Sequence, residues 1–368
     1  CIILMTENIR HRRLIMNLLM DKIYGCLLGG MIGDAFGAPG EGMTYKGIQE
    51  KYGKDGITDF EGTGTDDTAV RNQLVTTIMK CGGYPNVDEF AQSFIDSRDQ
   101  NYKLWFIPVK NSFHKFSEGL SLPAYSGWGN MQSSSTAMAI SPMGIINAGN
   151  PRQAALETAE VAALIHNGPT GFCRDAACAV AAAVAAALKP NTNVAEVIHE
   201  AKKYLMPVSA KLLIDLIDDA LELAQKAETY ENFREEYYRT SLRQVLCDSR
   251  ETIPATFALL HLSDGDPRKA ITWAANFGRD ADTIGAMIGG IVGALHGASG
   301  LPDEWVEKAT SASTVESRYS GHHYTHAGEV SDAPTFDNLE IAQQLEKVLK
   351  NRLQSLNEVS DTIHAMSS

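Results

Sequence analysis

The stretch DKIYGCLLGGMIGDAFGA, residues 21–38, carries glycine at 25, 29, 33 and 37. TIGAMIGGIVGALHG, residues 283–297, repeats the spacing at 285, 289, 293 and 297. Four residues is a little over one helical turn, so each set of glycines falls on one face of a helix. A glycine inside a helix costs about 1 kcal/mol relative to alanine, and four in register imply a compensating contact. A face stripped of side chains supplies one, because a second backbone can approach it closely. The large apolar residues between the glycines (Leu27, Leu28, Ile32, Met287, Ile288, Ile291) favour buried helices over loops. The two stretches are expected to cross each other, or to pack about one central point, in the core.

Outward from these stretches the pattern stays helical. Residues 154–190 are alanine-rich and are cut in two by Asn167-Gly168-Pro169, which reads as two helices with a break between them. Helical apolar spacing recurs over 192–205, 209–228, 231–246, 254–262 and 266–276, with Asp264-Gly265-Asp266-Pro267 as a turn. Strand-like alternation is nearly absent, and GITDF at 56–60 is its one weak candidate. The expectation is an all-α protein, a single-domain orthogonal helical bundle over 20–310. An N-terminal extension over 1–19 precedes it, and a polar linker plus a C-terminal helix follow over 311–368. In that tail Leu339, Ile341, Leu345, Val348, Leu349 and Leu353 form an apolar stripe for docking or for a partner.

The 368 residues are 44% hydrophobic and 21% charged, which excludes disordered and fibrous classes. A net charge of −13 argues against general nucleic-acid binding, although a cation held in a cleft would reverse the sign locally. The six cysteines form no CxxC pair and read as reduced thiols, and with no signal pattern the expected compartment is the cytoplasm. Cys173, Cys178 and His166 lie near one another in sequence, but no further ligands complete a zinc site. No run reaches the roughly 18 apolar residues of a membrane span, so no membrane association is expected. His322, His323 and His326 look like a metal motif, yet they sit in a polar segment and read as loop residues.

Two acidic clusters share one pattern: a glycine-bearing loop, carboxylates with threonine, then a helix. They are Thr65-Asp66-Asp67-Thr68 and Asp280-Ala281-Asp282-Thr283. Aspartate and threonine cap helix N-termini, which accounts for either cluster alone. Crowded carboxylates repel, however, and two such clusters make sense if they converge on cations. Aspartate and threonine oxygens are hard donors suited to Mg²⁺, Mn²⁺ or Ca²⁺. Thr65, Asp66, Asp67, Asp280, Asp282 and Thr283 exceed what one Mg²⁺ takes from protein, so two ions sharing a bridging carboxylate is the better count. Such a centre orients substrate oxygens and activates a bound water.

GCLLGGMIGDAFGAPGE at 25–41, GTDDTAV at 64–70, SSTAMAISPMG at 134–144, LIHNGPTGFCRDAA at 164–177 and NFGRDADTIGAMIGG at 276–290 together resemble the ADP-ribosylglycohydrolases, in family order. The resemblance covers about residues 20–310. It implies an all-α fold with a dinuclear Mg²⁺ centre, sometimes Mn²⁺, in a cleft, and hydrolysis of the bond joining ADP-ribose to an acceptor. It further implies Thr65, Asp66, Asp67, Asp280, Asp282 and Thr283 as metal ligands and Glu41 as the acidic residue approaching the metals and the scissile bond. Ser134, Ser135, Thr136 and Met138 match the stretch that cradles ADP-ribose, and His166 matches a histidine lining the ribose site. Backbone N–H groups of a serine-rich loop opening a helix suit a diphosphate. The implied partner is an ADP-ribosylated protein or an ADP-ribose-containing small molecule. Alternatives are a dinuclear hydrolase of a free nucleotide or nucleoside derivative, and a non-catalytic ADP-ribose reader or crystallin-like relative. Asp34 reads as a helix-end residue.

The sequence departs from the usual family pattern at three places. Ser134-Ser135 replace an Asn-Gly and Ala139 an Arg, residues 99–106 offer only Asp99 where some members place an upstream acid, and Arg279 stands where a glycine often precedes the DAD triplet. These changes fall on the acceptor side of the cleft and leave the metal set whole.

Overall fold

A computed structural model describes residues 16–314 and 337–367. Residues 1–15 and the three histidines at 322, 323 and 326 lie outside the described residues. The chain is all-α, with two isolated bridges and no strand among the described residues.

The two glycine stretches form the helices Leu18–Gly37 and Ala281–His296, which run antiparallel through the centre. Gly25 faces Gly293, Gly29 faces Gly289, Gly33 faces Gly285, and Gly37 faces Ala281. A Cβ on Gly33 would stand 1.9 Å from the Gly285 carbonyl oxygen, and one on Gly289 would stand 2.2 Å from that of Gly29. No larger residue fits, so the contact that offsets the helical cost of glycine is backbone against backbone. This register sets the last turn of the first helix beside the first turn of the second. Asp34 and Asp282 thereby arrive at the same place.

The other helices wrap this pair. Gly171–Ala187 is buried along nearly its whole length. It is long and apolar enough over Gly168–Ala187 to cross a membrane, but its burial is that of a core helix. The buried Lys22 donates to the carbonyls of Ala187 and Lys189, at 2.7 and 3.0 Å, and caps its C-terminus. The C-terminal helix Asn338–Ser367 docks its first half, with Ile341, Ala342, Leu345 and Val348 buried, while Leu353 faces solvent. Arg352 secures it through Asn147 and Glu157, each at 2.8 Å, and the Asn338 amide oxygen accepts from Arg71 at 3.0 Å.

Three expectations are corrected in detail. The helix expected over 231–246 ends at Thr240, and the segment after it is not helical. The helix expected to begin at Pro254 begins at Ser249, because Asp248 caps it by accepting from the Arg250 amide, which leaves Pro254 inside. GITDF is not a strand. The Asn276 side chain both accepts from the Ile57 amide and donates to its carbonyl, each at 2.8 Å, standing in for a strand partner.

Candidate metal centre

Thr65 caps the helix Asp66–Lys80, and Asp280 precedes the helix Ala281–His296. The glycine pairing brings these two N-termini onto Asp34. That carboxylate, fully buried, accepts from the amides of Thr65 and Thr68 and from both hydroxyls, the latter at 2.8 and 2.6 Å. Asp34 therefore fastens the first acidic cluster to the central helix. It also stands within the carboxylate group itself.

One oxygen from each of Asp34, Asp67 and Asp282 lies within 4.8 Å of the others, and the same holds for Glu41, Asp280 and Asp282. Asp282 is common to both groups. Asp66 and Thr283 line the same cleft, and Thr65 directs its hydroxyl at Asp34 while approaching Asp67 and Asp282 at 3.3 and 3.5 Å. The two clusters read from the sequence thus meet.

The electrostatics of this meeting are unfavourable without a cation. Burial, and then the charge of Asp282, push Asp66 and Asp67 well above the usual carboxylate range. Asp280 is raised in the same way, and Asp282 is pushed up to about 7 by burial and by the charge of Asp34. Glu41, part-buried, is pushed up to about 11 by burial and then by Asp282, Asp280 and Asp66. Meanwhile Asp67 Oδ1, Asp280 Oδ2 and Asp282 Oδ1 are buried with no hydrogen-bond partner. An all-oxygen donor set with three orphaned carboxylate oxygens fits hard divalent cations.

Glu41 is held over this group by backbone contacts. The Gly42 amide donates to the Arg279 carbonyl at 2.8 Å, and the Arg279 amide donates to that of Met43 at 2.7 Å. Arg279 adopts φ +62°, which explains why glycine suits the position. The arginine here adds a compensating contact: its guanidinium grips the buried Glu251 at 2.8 and 3.0 Å and donates to the Arg243 carbonyl. The departure at 279 is therefore structural support behind Asp280.

The serine loop borders the cleft through Ser134, Ser135 and Met138. Its polar groups are committed inward. Ser134 Oγ bonds Thr252 and Ser249 at 2.5 and 3.1 Å, and Ser135 Oγ bonds Ser133 at 2.8 Å. The loop opens onto a three-residue 3₁₀ turn, Ala137–Ala139, whose amides at Met138 and Ala139 are spent on Ser134 and Thr136 carbonyls. His166 is fully buried behind the loop, outside the cleft lining, bonding Thr136 at 2.7 Å and Ser133 at 3.2 Å. Burial lowers its pKa to about 4, so it is a neutral brace for the loop.

Three residues of the site were not singled out as site residues from the sequence: Asp34, Phe106 and Cys247. The antiparallel glycine register carries the signal for Asp34. Phe106 and Cys247 line the cleft from segments between helices, where no periodicity points inward.

With this geometry in view, comparison with known proteins is decisive. The ADP-ribosylglycohydrolase family model matches residues 16–330. The chain belongs to this family. The uncharacterized protein YegU of Escherichia coli K12 is 34% identical over 103 residues, 28% of this chain and 30% of that protein. The match to ADP-ribosylhydrolase ARH3 of Bos taurus is longer, 23% identical over 324 residues, 78% of this chain and 88% of that one. A solved structure described as an ADP-ribosylglycohydrolase-related protein complex superposes with a TM-score of 0.63 at 16% identity, covering 91% of this chain and all of that chain. It shares the all-α fold.

Proposed function

We propose that this protein is a Mg²⁺-dependent hydrolase that cleaves the ribosyl C1 bond of ADP-ribosylated substrates. The observation that carries the reading is the pair of carboxylate groups joined through Asp282, with three buried oxygens left bare. Family membership and the name of the bovine relative support it. In this reading Thr65, Asp66, Asp67, Asp280, Asp282 and Thr283 hold two divalent ions, with Mn²⁺ as a substitute, and Asp34 orients the Thr65–Thr68 turn. When bound, such ions fix the ribose hydroxyls and lower the pKa of a water.

The protein's own groups supply the rest. Breaking the C1 bond develops oxocarbenium character, which the surrounding carboxylates stabilise. Glu41 stands at the edge of the group, and its raised pKa comes from burial and from its acidic neighbours. Neutralising those neighbours brings the carboxyl back towards the range in which it exchanges a proton, so Glu41 serves as the acid/base at the leaving group. Ser134, Ser135, Thr136 and Met138 shape the ribose side, and His166 braces them.

The test is calorimetric titration of ADP-ribose with Mg²⁺, after EDTA, and in an Asp66→Ala/Asp282→Ala variant. Binding that needs the metal and disappears in the variant supports the reading and directs a screen of ADP-ribosylated acceptors for release. Equal weak binding in all three samples contradicts it.

A further inference from the structure

A second cavity opens between the helices Lys211–Ala227, Tyr230–Thr240 and Ser249–Leu262. Its volume is about 360 Å³, within the range of about 300–1,000 Å³ typical of small-molecule sites. It shares no lining residue with the metal cleft. Leu216, Ala220 and Leu223 recur at helical spacing and so share one face of the first helix; with Pro254 they give the cavity an apolar wall.

Four charged side chains complete the lining, and three of them are accounted for. Arg250 is held by Asp248, its Nε donating at 3.0 Å, and Glu236 accepts from Arg239 at 2.9 Å. Asp219 lies exposed to water. Arg243 differs. Its backbone is fixed, the amide donating to Glu251 at 2.5 Å and the carbonyl accepting from Arg279 at 2.6 Å. Its side chain is part-buried, its Nε is buried with no hydrogen-bond partner, and among the described residues no acceptor meets the guanidinium. A guanidinium drawn partly out of water without an acceptor is costly, and it calls for one from outside the chain.

The surroundings decide which acceptor. The planar fork of arginine matches a carboxylate. Asp219 and Glu236 border the same cavity, so a doubly charged phosphate meets more repulsion than a carboxylate with one charge. The apolar wall suits a hydrocarbon body attached to that head.

We propose that this cavity binds a small apolar carboxylic acid, its carboxylate on Arg243 and its hydrocarbon body against Leu216, Leu223 and Pro254. The site is separate from the metal centre but joined to it through the chain. Arg243 bonds the Glu251–Arg279 pair behind Asp280, and the segment that carries it continues to Cys247 in the metal cleft.

The experiment is calorimetric titration of 2-naphthoate, a rigid apolar carboxylate, into the full chain. Saturable binding is expected in wild type, weakened at least about tenfold in Arg243→Met, where the charge-assisted bond is gone. Leu223→Trp fills the cavity with Arg243 in place and should abolish binding. In wild type the neutral naphthalene-2-methanol should bind at least about tenfold more weakly than 2-naphthoate, and inorganic phosphate at equal concentration should not displace the acid. Circular dichroism checks that both variants are folded, and the two wild-type comparisons decide the matter if a variant is not. Absence of saturable binding in wild type overturns the proposal. So does affinity within about twofold of wild type in either folded variant, equal binding of the neutral alcohol, or displacement by phosphate.

Discussion

The two acidic corners of the cleft have the same sequence pattern and opposite local chemistry. At Thr65–Thr68 the amides and hydroxyls of both threonines are satisfied by Asp34, so the corner is fastened by the protein's own hydrogen bonds. At Asp280–Thr283 no side chain caps the helix, and Asp280 Oδ2 and Asp282 Oδ1 are buried and bare. Asp67 belongs to the first corner by sequence, yet its own Oδ1 is likewise bare, and one of its oxygens lies within 4.8 Å of one from Asp282. A shared pattern of glycine, aspartate and threonine therefore covers two jobs. One aspartate, Asp34, holds backbone in place, while Asp67, Asp280 and Asp282 keep buried carboxylate oxygens without a hydrogen-bond partner.

The comparison depends first on the glycine contact that brings the corners together. Gly33→Ala places a methyl 1.9 Å from a carbonyl that is itself part of a packed helix, so the protein is expected to lose more than about 4 kcal/mol or fail to fold. Circular dichroism and denaturant titration check this. A well-folded Gly33→Ala protein would mean the helices are not in close contact.

Next in size is a pair of substitutions with opposite signs. Asp34→Ala strands buried amides and hydroxyls and should cost about 2–4 kcal/mol of stability with or without metal. Asp282→Asn removes like charge from the shared point, so in EDTA it should raise stability by about 1 kcal/mol while abolishing metal-dependent activity. Thermal melts in EDTA separate the two, and the same sign for both would erase the distinction between the corners.

The smallest effect is a pH slope. Asp66, Asp67, Asp280 and Asp282 have folded-state pKa values above the ordinary carboxylate range, with Asp282 at about 7. The folded state then binds more protons than the unfolded chain, so the associated stability is present below about pH 4 and is lost as pH rises through about 7. In EDTA the melting temperature should fall by a few degrees from pH 5 to pH 8. With Mg²⁺ the fall should vanish or reverse, because the ions replace the protons.

Much of this was legible in the sequence. Glycine at every fourth position announced the close helix pair, and the two clusters of hard oxygen donors announced their own convergence on one cleft. Three things were hidden, each for a physical reason. Asp34 looked like a helix-end residue because its partners, Thr65 and Thr68, are brought to it only by the tertiary register. His166 reads as lining the ribose site, and only the structure shows it fully buried behind the serine loop, bonded to Ser133 and Thr136. The serine loop looked like the start of a helix, but Met138 and Ala139 spend their amides within a single 3₁₀ turn. Arg279, a departure by sequence, acquires its purpose only when Glu251 arrives from another helix.

The central claim is that both corners serve one metal centre through Asp282. The measurement that tests it most directly is the stoichiometry of Mn²⁺ bound to the metal-free protein, by calorimetry or by spin resonance of free ion, in wild type and in Asp282→Ala. Two ions per chain in wild type, with both sites weakened together in the variant, is the predicted result. Two ions retained at unchanged affinity in Asp282→Ala, or none in wild type, would contradict it.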